Sequence, residues 1–218
     1  MKSIVFAETL PDMFCWTRFG GEAAEPVDNI LLRKERERIA NGGIFLWGIG
    51  NAIGPSIVEL MMRTPRPKVI FSPIKTAAKT RDTNPPAVVR WTGAEALDGQ
   101  AYEMPEHSLV TSRYDPDAPK KNHYALVCYS AQPLIPLQQG EKIGFDQLRN
   151  LKTGRPVGAS QVTAVVERTE TESVAVTLYD VSILAELIVP YFVKLVGARE
   201  LRKRTFNSLG SSVQGPLF

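Results

Sequence analysis

The run Gly43-Ile44-Phe45-Leu46-Trp47-Gly48-Ile49-Gly50-Asn51-Ala52-Ile53-Gly54 constrains the fold of this chain more than any other stretch. Phe45, Leu46 and Trp47 make a short apolar run with strand character. It is entered through Asn41-Gly42-Gly43 and left through Gly48, Gly50 and Gly54, so the backbone stays bare around one large aromatic. Such a Trp either faces a ligand or sits in the core, with the glycines permitting close packing or a turn. The spacing Gly48-x-Gly50-x-x-x-Gly54 misses the dinucleotide fingerprint by one residue and lacks the lysine of a phosphate loop.

Around this stretch the sequence predicts short strands separated by turns. Lys2–Ala7 reads as a strand, and Met13–Phe19 as an aromatic strand in which Arg18 stands between Trp16 and Phe19. That trio either stacks on a planar ligand or is two core aromatics with a snorkelling Arg. Glu25-Pro26 opens a helix running to about Ala40 and stopped by Asn41-Gly42, with the mixed charges Arg33 to Arg38 as its solvated face. Pro55–Met62 follows as a second helix, then strands at Lys68–Lys75, with Pro73 at an edge or bulge, and at Ala87–Trp91. Leu109–Arg113 and His123–Tyr129 read as a hairpin with a long, partly basic tip, Phe145–Leu151 as a helical turn, and Val157–Val166 as a strand. The last element, Tyr179 to about Arg204, reads as an apolar helix broken at Pro190. The expected class is therefore α+β, a curled mixed β-sheet or β-barrel flanked by helices. A barrel domain is expected over residues 1–173, with a helical extension, 174–218, packed on it.

Composition adds limits. The net charge of +3 permits an anionic partner without requiring one, but its distribution is uneven. Arg63, Arg66, Lys68, Lys75, Lys79, Arg81 and Arg90 face only Asp82 between residues 63 and 92, and Lys194, Arg199, Arg202, Lys203 and Arg204 face only Glu200 between 194 and 204. Together they would form an anion-binding face if the fold joins them; apart, they are solvated charges. Cys15 and Cys128 stand far apart, so neither a disulfide framework nor a metal-ligand spacing follows, and no cofactor is expected. Ile4–Ala7 is too short for a signal peptide, which suggests a cytoplasmic chain. The apolar segment Val174–Ala198 carries Asp180, Glu186, Pro190 and Lys194, which argues against a membrane span or a membrane partner.

The order of these elements, an aromatic strand, a charged helix ending in Gly, the strand Phe45-Leu46-Trp47-Gly48-Ile49-Gly50-Asn51 and a later strand His123-Tyr124-Ala125-Leu126-Val127, resembles the PUA-like superfamily over roughly residues 1–166, in particular its EVE-like and ASCH-like branches. The resemblance implies a small β-barrel that binds DNA or RNA and, in the EVE, YTH and SRA members, a pocket for a flipped, often modified, base. It would place Trp47 and Asn51 at the pocket mouth. Two departures stand out: the insertion Pro55–Met62, and residues 174–209, which the family does not account for.

Base reading needs aromatic faces, edge readers and outer cations. Trp16 and Trp47 are the aromatic candidates and Trp91 a weaker one, Asn51 and Ser72 the readers, Arg18, Lys75 and Arg113 the phosphate contacts, and Lys120 and Lys121 form the basic hairpin tip. No catalytic residue is assigned, because neither a zinc-protease nor a nucleophile-elbow motif is present and His107 and His123 read as surface residues. Two alternatives remain. ASCH-type relatives include hydrolases, so Lys75 with Thr76 or a carboxylate would act on RNA or a modified nucleoside. The third reading is an interaction protein, whose stripe Val181, Leu184, Ile188 and Phe192 on the C-terminal helix packs on the domain or on a second copy as a homodimer.

Overall fold

The sequence signals for the first helix and its neighbouring strand act as expected. Helix α1 (Val27–Ala40) starts after Pro26 and ends at Asn41, whose backbone N–H and side-chain amide both donate to the Glu37 carbonyl. Gly42 and Gly43 take positive φ, turning the chain directly into strand β2 (Ile44–Gly50).

In this computed structural model, the described residues are 11–20, 26–50, 55–73, 87–91, 93–103, 108–112, 123–134, 142–144, 147–157, 163–169, 178–180, 183–196 and 207–208. At 55, 87–90, 109, 111–112, 142–144, 178–180, 183–184 and 207–208 the description covers the backbone alone.

The remaining elements are β1 (Met13–Phe19), α2 (Pro55–Arg63), β3 (Lys68–Pro73), β4 (Ala87–Arg90), β5 (Gly93–Glu95), β6 (Ala101–Glu103), β7 (Leu109–Ser112) and β8 (His123–Tyr129). They continue with β9 (Lys142–Gly144), β10 (Leu148–Asn150), β11 (Thr163–Arg168), β12 (Leu178–Asp180), β13 (Ile183–Val196) and β14 (Asn207–Ser208). The protein is α+β. Its main sheet is mixed and ten-stranded, in the order β10-β11-β1-β3-β13-β5-β6-β14, with β8 and then β2 branching from β13. β1 runs parallel to β3; most other neighbours are antiparallel. Among the described residues the sheet does not close into a barrel, since β2 is bonded to β8 alone.

Several further expectations change. Residues 183–196 are not helical: β13 is a 14-residue strand at the middle of the sheet, paired with β3, β8 and β5, so neither a helical extension nor a dimerising helix exists there. Of the proposed stripe, Ile188 and Phe192 are core residues, while Val181 and the Leu184 side chain lie outside the described residues. The strands of the expected hairpin do not pair with each other; β7 pairs with β4, and β8 with β2 and β13. Residues 148–150 are strand, not helix. The expected strand Lys2–Ala7 lies outside the described residues.

Strict alternation sends side chains to the two faces of the sheet. Cys15, Phe45, Trp47, Val69, Phe71, Leu126 and Cys128 join Ile30 and Leu31 of α1 and Ile57 and Leu60 of α2 in one core. The opposite face carries two cores. Phe14, Trp16, Ile70, Leu148, Val157 and Val166 fill one; Ile44, Leu46, Trp91, Ala125, Val127, Val193 and Leu195 fill the other. β13 changes face midway. Five steps from Leu187 to Phe192 match two from Cys128 to Leu126, an odd excess of three residues that flips the alternation, so Leu187 and Val193 serve different cores.

The charged face expected on α1 turns inward instead. Lys34, Glu35 and Glu37 are buried. Glu37, 0% exposed, accepts from Lys34 Nζ at 2.6 Å and, through Oε1, from the Leu46 N–H and the Ser108 hydroxyl, each at 2.7 Å. Glu35 takes two bonds from the Arg38 guanidinium and one from the Leu134 N–H. The Arg38 hydrogen bonds hold the Glu35 carboxyl below the usual carboxylate range, and burial lowers the Lys34 pKa against the pull of Glu37. These carboxylates replace missing strand partners, fixing α1 to β2 and to the segments that follow β8 and precede β7.

Candidate functional site

The sites expected for Trp16 and Trp47 are on opposite faces of the sheet, so the two indoles do not converge. Trp47 is 7% exposed, its ring 4.4 Å from that of Phe71 and edge-on to Phe19 at 5.3 Å. Trp16 is fully buried and donates its indole N–H to the Ser72 hydroxyl at 3.0 Å. Both aromatics are core residues, neither leaves a buried ring nitrogen without a hydrogen-bond partner, and the Ser72 hydroxyl accepts the Trp16 N–H. Arg18, opposite Ser72 in the parallel β1–β3 register, is half-buried. Asn51, Lys75, Arg113, Lys120 and Lys121 lie outside the described residues. In the first basic zone, Arg63 is paired with Glu59, and Arg66 and Lys68 are both paired with Glu186.

A different site lies at the far end of β2. One residue more on β2 than on β8 makes a bulge between Gly48 and Gly50, and Gly50 takes φ +89°, open to glycine without strain. Gly48 faces β7: a Cβ there would stand 2.5 Å from Val110 Cγ1 and 3.4 Å from His123 Nε2. The bare backbone thus lets Val110 and His123 close against the strand. His123 opens β8, and Trp91 follows the end of β4; their rings stack at 5.7 Å with 22° between planes. Three element ends therefore converge where the scaffold hands over to its connections, the usual place for recognition residues.

The polar atoms here are unmatched. His123 is 7% exposed and Trp91 fully buried, yet Nδ1 and Nε2 of the imidazole and Nε1 of the indole have no hydrogen-bond partner. An unsatisfied buried donor or acceptor costs about 1–3 kcal/mol, and such groups call for an explanation in strain, bound solvent or function. Burial lowers the His123 pKa, so at neutral pH the ring offers one donor and one acceptor beside the Trp91 donor. That set of donors and acceptors is of the kind carried by the edge of a planar heterocycle.

The sequence signals for this site were present but weak: a His at the start of an apolar strand, and a Trp at the end of another. They meet through two pairings, β8 with the glycine end of β2 and β4 with β7, whose Val110 lies against Gly48. Among the described residues no group of three or more His, Cys, Asp or Glu side chains is arranged to hold a metal, and no helix is long and apolar enough to cross a membrane. Both thiols are buried; burial pushes Cys15 up to about 12 and Cys128 upward as well, which makes them poor nucleophiles.

No family model matches the chain, and no curated protein or solved structure matches it.

Proposed function

We propose that this protein is a nucleic-acid-binding module of PUA-like, EVE- or ASCH-related architecture, and that it holds an unstacked base of DNA or RNA against Trp91 and His123. The single observation that carries the reading is the trio of buried, unpartnered nitrogens at the glycine end of β2. A base edge supplies the donors and acceptors these atoms lack, and a neutral imidazole favours a neutral heterocycle over an ion. A curled mixed sheet is in keeping with the barrel-related architecture. Trp16 and Trp47 then act as the packing that holds the sheet in shape.

The test is titration of the protein with short single-stranded DNA and RNA oligonucleotides and with a panel of natural and modified nucleosides, followed by calorimetry. His123→Phe keeps the stack on Trp91 but removes both ring nitrogens; it is expected to weaken cognate binding by about tenfold or more, the worth of one hydrogen bond of roughly 1.4 kcal/mol, while urea unfolding stays cooperative. Undiminished binding in His123→Phe would move the ligand elsewhere, and product formation detected by mass would replace the reader with a hydrolase.

A further inference from the structure

The exposed turn between β10 and residue 157 concentrates unpaired positive charge on a rigid support. Asn150 organises it. Its backbone carbonyl accepts from the N–H groups of Thr153 and Gly154 at 3.2 and 2.8 Å, its side-chain oxygen from the Lys152 N–H at 2.9 Å, and its own N–H donates to the Arg155 carbonyl at 2.8 Å. Val157 N–H donates back to the Leu148 carbonyl, completing a small hairpin. Gly154 supplies the left-handed residue, φ +65°. At the base, Leu148 and Val157 are fully buried against Phe14 and Trp16, so the turn cannot swing freely.

Arg149, Lys152 and Arg155 all project into solvent from this hairpin, and residues 147–157 contain no carboxylate. None of the three is ion-paired; the Arg149 guanidinium reaches only the Gly154 carbonyl at 3.3 Å. Glu167 stands opposite Arg149 in the β10–β11 register without pairing to it. Six cations elsewhere are paired with carboxylates: Lys34 with Glu37, Arg38 with Glu35, Arg63 with Glu59, Arg66 and Lys68 with Glu186, and Arg168 with Asp12. What sets the hairpin apart is three unpaired cations on one short turn with no carboxylate among residues 147–157.

We infer that the Arg149–Arg155 hairpin is a contact surface for the phosphodiester backbone of a nucleic acid. This rests on the base-binding reading above, which supplies the polymer. Two guanidinium forks and one ammonium on a turn whose backbone is already ordered contact phosphate oxygens without regard to sequence. Neither basic zone read from the sequence includes these residues.

The experiment compares wild type with the triple variant Arg149→Gln, Lys152→Gln, Arg155→Gln, measuring the dissociation constant of a mixed-sequence single-stranded 12-mer across a salt series. Three lost phosphate contacts should flatten the slope of log K against log salt by about 2, at roughly 0.7 per contact for a single strand. Arg36→Gln, which removes an exposed charge from α1, should leave the slope as it is. A 12-mer bound with the same slope by wild type and triple variant overturns the hairpin inference alone. No binding of any oligonucleotide by wild type overturns the base-binding reading with it. Binding of poly-glutamate that is as strong as that of the 12-mer, and equally lost in the triple variant, overturns the inference in favour of an acidic polypeptide partner.

Discussion

Two clusters of buried polar side chains border β2, and they are finished differently. Under α1 every polar group has an answer: Glu37 takes Lys34, Leu46 N–H and Ser108, and Glu35 takes Arg38 and Leu134 N–H. At the Gly48–Gly50 end, His123 and Trp91 bury three nitrogens that answer to nothing. A satisfied network repays its desolvation by fixing the fold, whereas an unsatisfied one costs stability until solvent or a ligand supplies the missing partners. The first cluster is structural, and the second is the site of the base contact proposed above.

Substitutions that attack the two clusters should therefore differ in sign as well as size. Glu37→Ala leaves Lys34 buried without its partner and strips Leu46 N–H and Ser108 of their acceptor, so a loss of about 3–5 kcal/mol is expected in urea unfolding. A loss below 1 kcal/mol would show that the network is not the clamp described. Gly48→Ala pushes a methyl into Val110 and should cost about 1–3 kcal/mol as overpacking; adding Val110→Ala should recover part of it, and strict additivity in that double-mutant cycle would contradict the contact.

Trp16→Phe removes the indole N–H bonded to Ser72 and is expected to cost about 1 kcal/mol from the hydrogen bond, plus what the smaller ring leaves unfilled. His123→Phe should have the smallest effect on stability, and in the other direction: near zero or a gain, because it deletes two unpartnered nitrogens. It should also change the pH dependence. Burial depresses the folded-state pKa of His123 below the ordinary value of 6.5, so the unfolded chain takes up the proton first. The stability His123 preserves above pH 6.5 is therefore lost as pH falls through its folded-state pKa. Denaturant midpoints measured from pH 7.5 to 5 should fall less in His123→Phe than in wild type, and parallel curves would count against a buried neutral imidazole.

How much of this was legible before the structure depended on how locally each signal was written. α1 carries its start at Pro26 and its stop at Asn41-Gly42, and β2 its glycine boundaries, so both stood out. β13 did not, because a strand buried between β3, β8 and β5 has apolar residues on both faces and its continuous run looks like a buried helix. Its change of face at 188–191 further scrambles any period. The inward turn of the α1 charges is not visible locally, because Glu37 also takes the Leu46 N–H and the Ser108 hydroxyl, and Glu35 the Leu134 N–H, all outside the helix. The same distance hid the site: Trp47 drew attention by its glycine neighbours, but alternation along β2 sends it to the helix side, while Gly48 faces Val110 and His123.

The central claim is that one buried indole N–H is kept without a partner for a ligand while another is spent on the fold. The direct measurement is the proton resonance of each tryptophan side-chain N–H in 15N-labelled protein, assigned with Trp91→Phe and Trp16→Phe, before and after addition of a single-stranded oligonucleotide. The Trp16 signal, bonded to Ser72, should lie downfield and stay there; the Trp91 signal should start upfield and move downfield as the oligonucleotide saturates. A Trp91 resonance that starts in the hydrogen-bonded range, or that stays still while the oligonucleotide binds, would contradict the account.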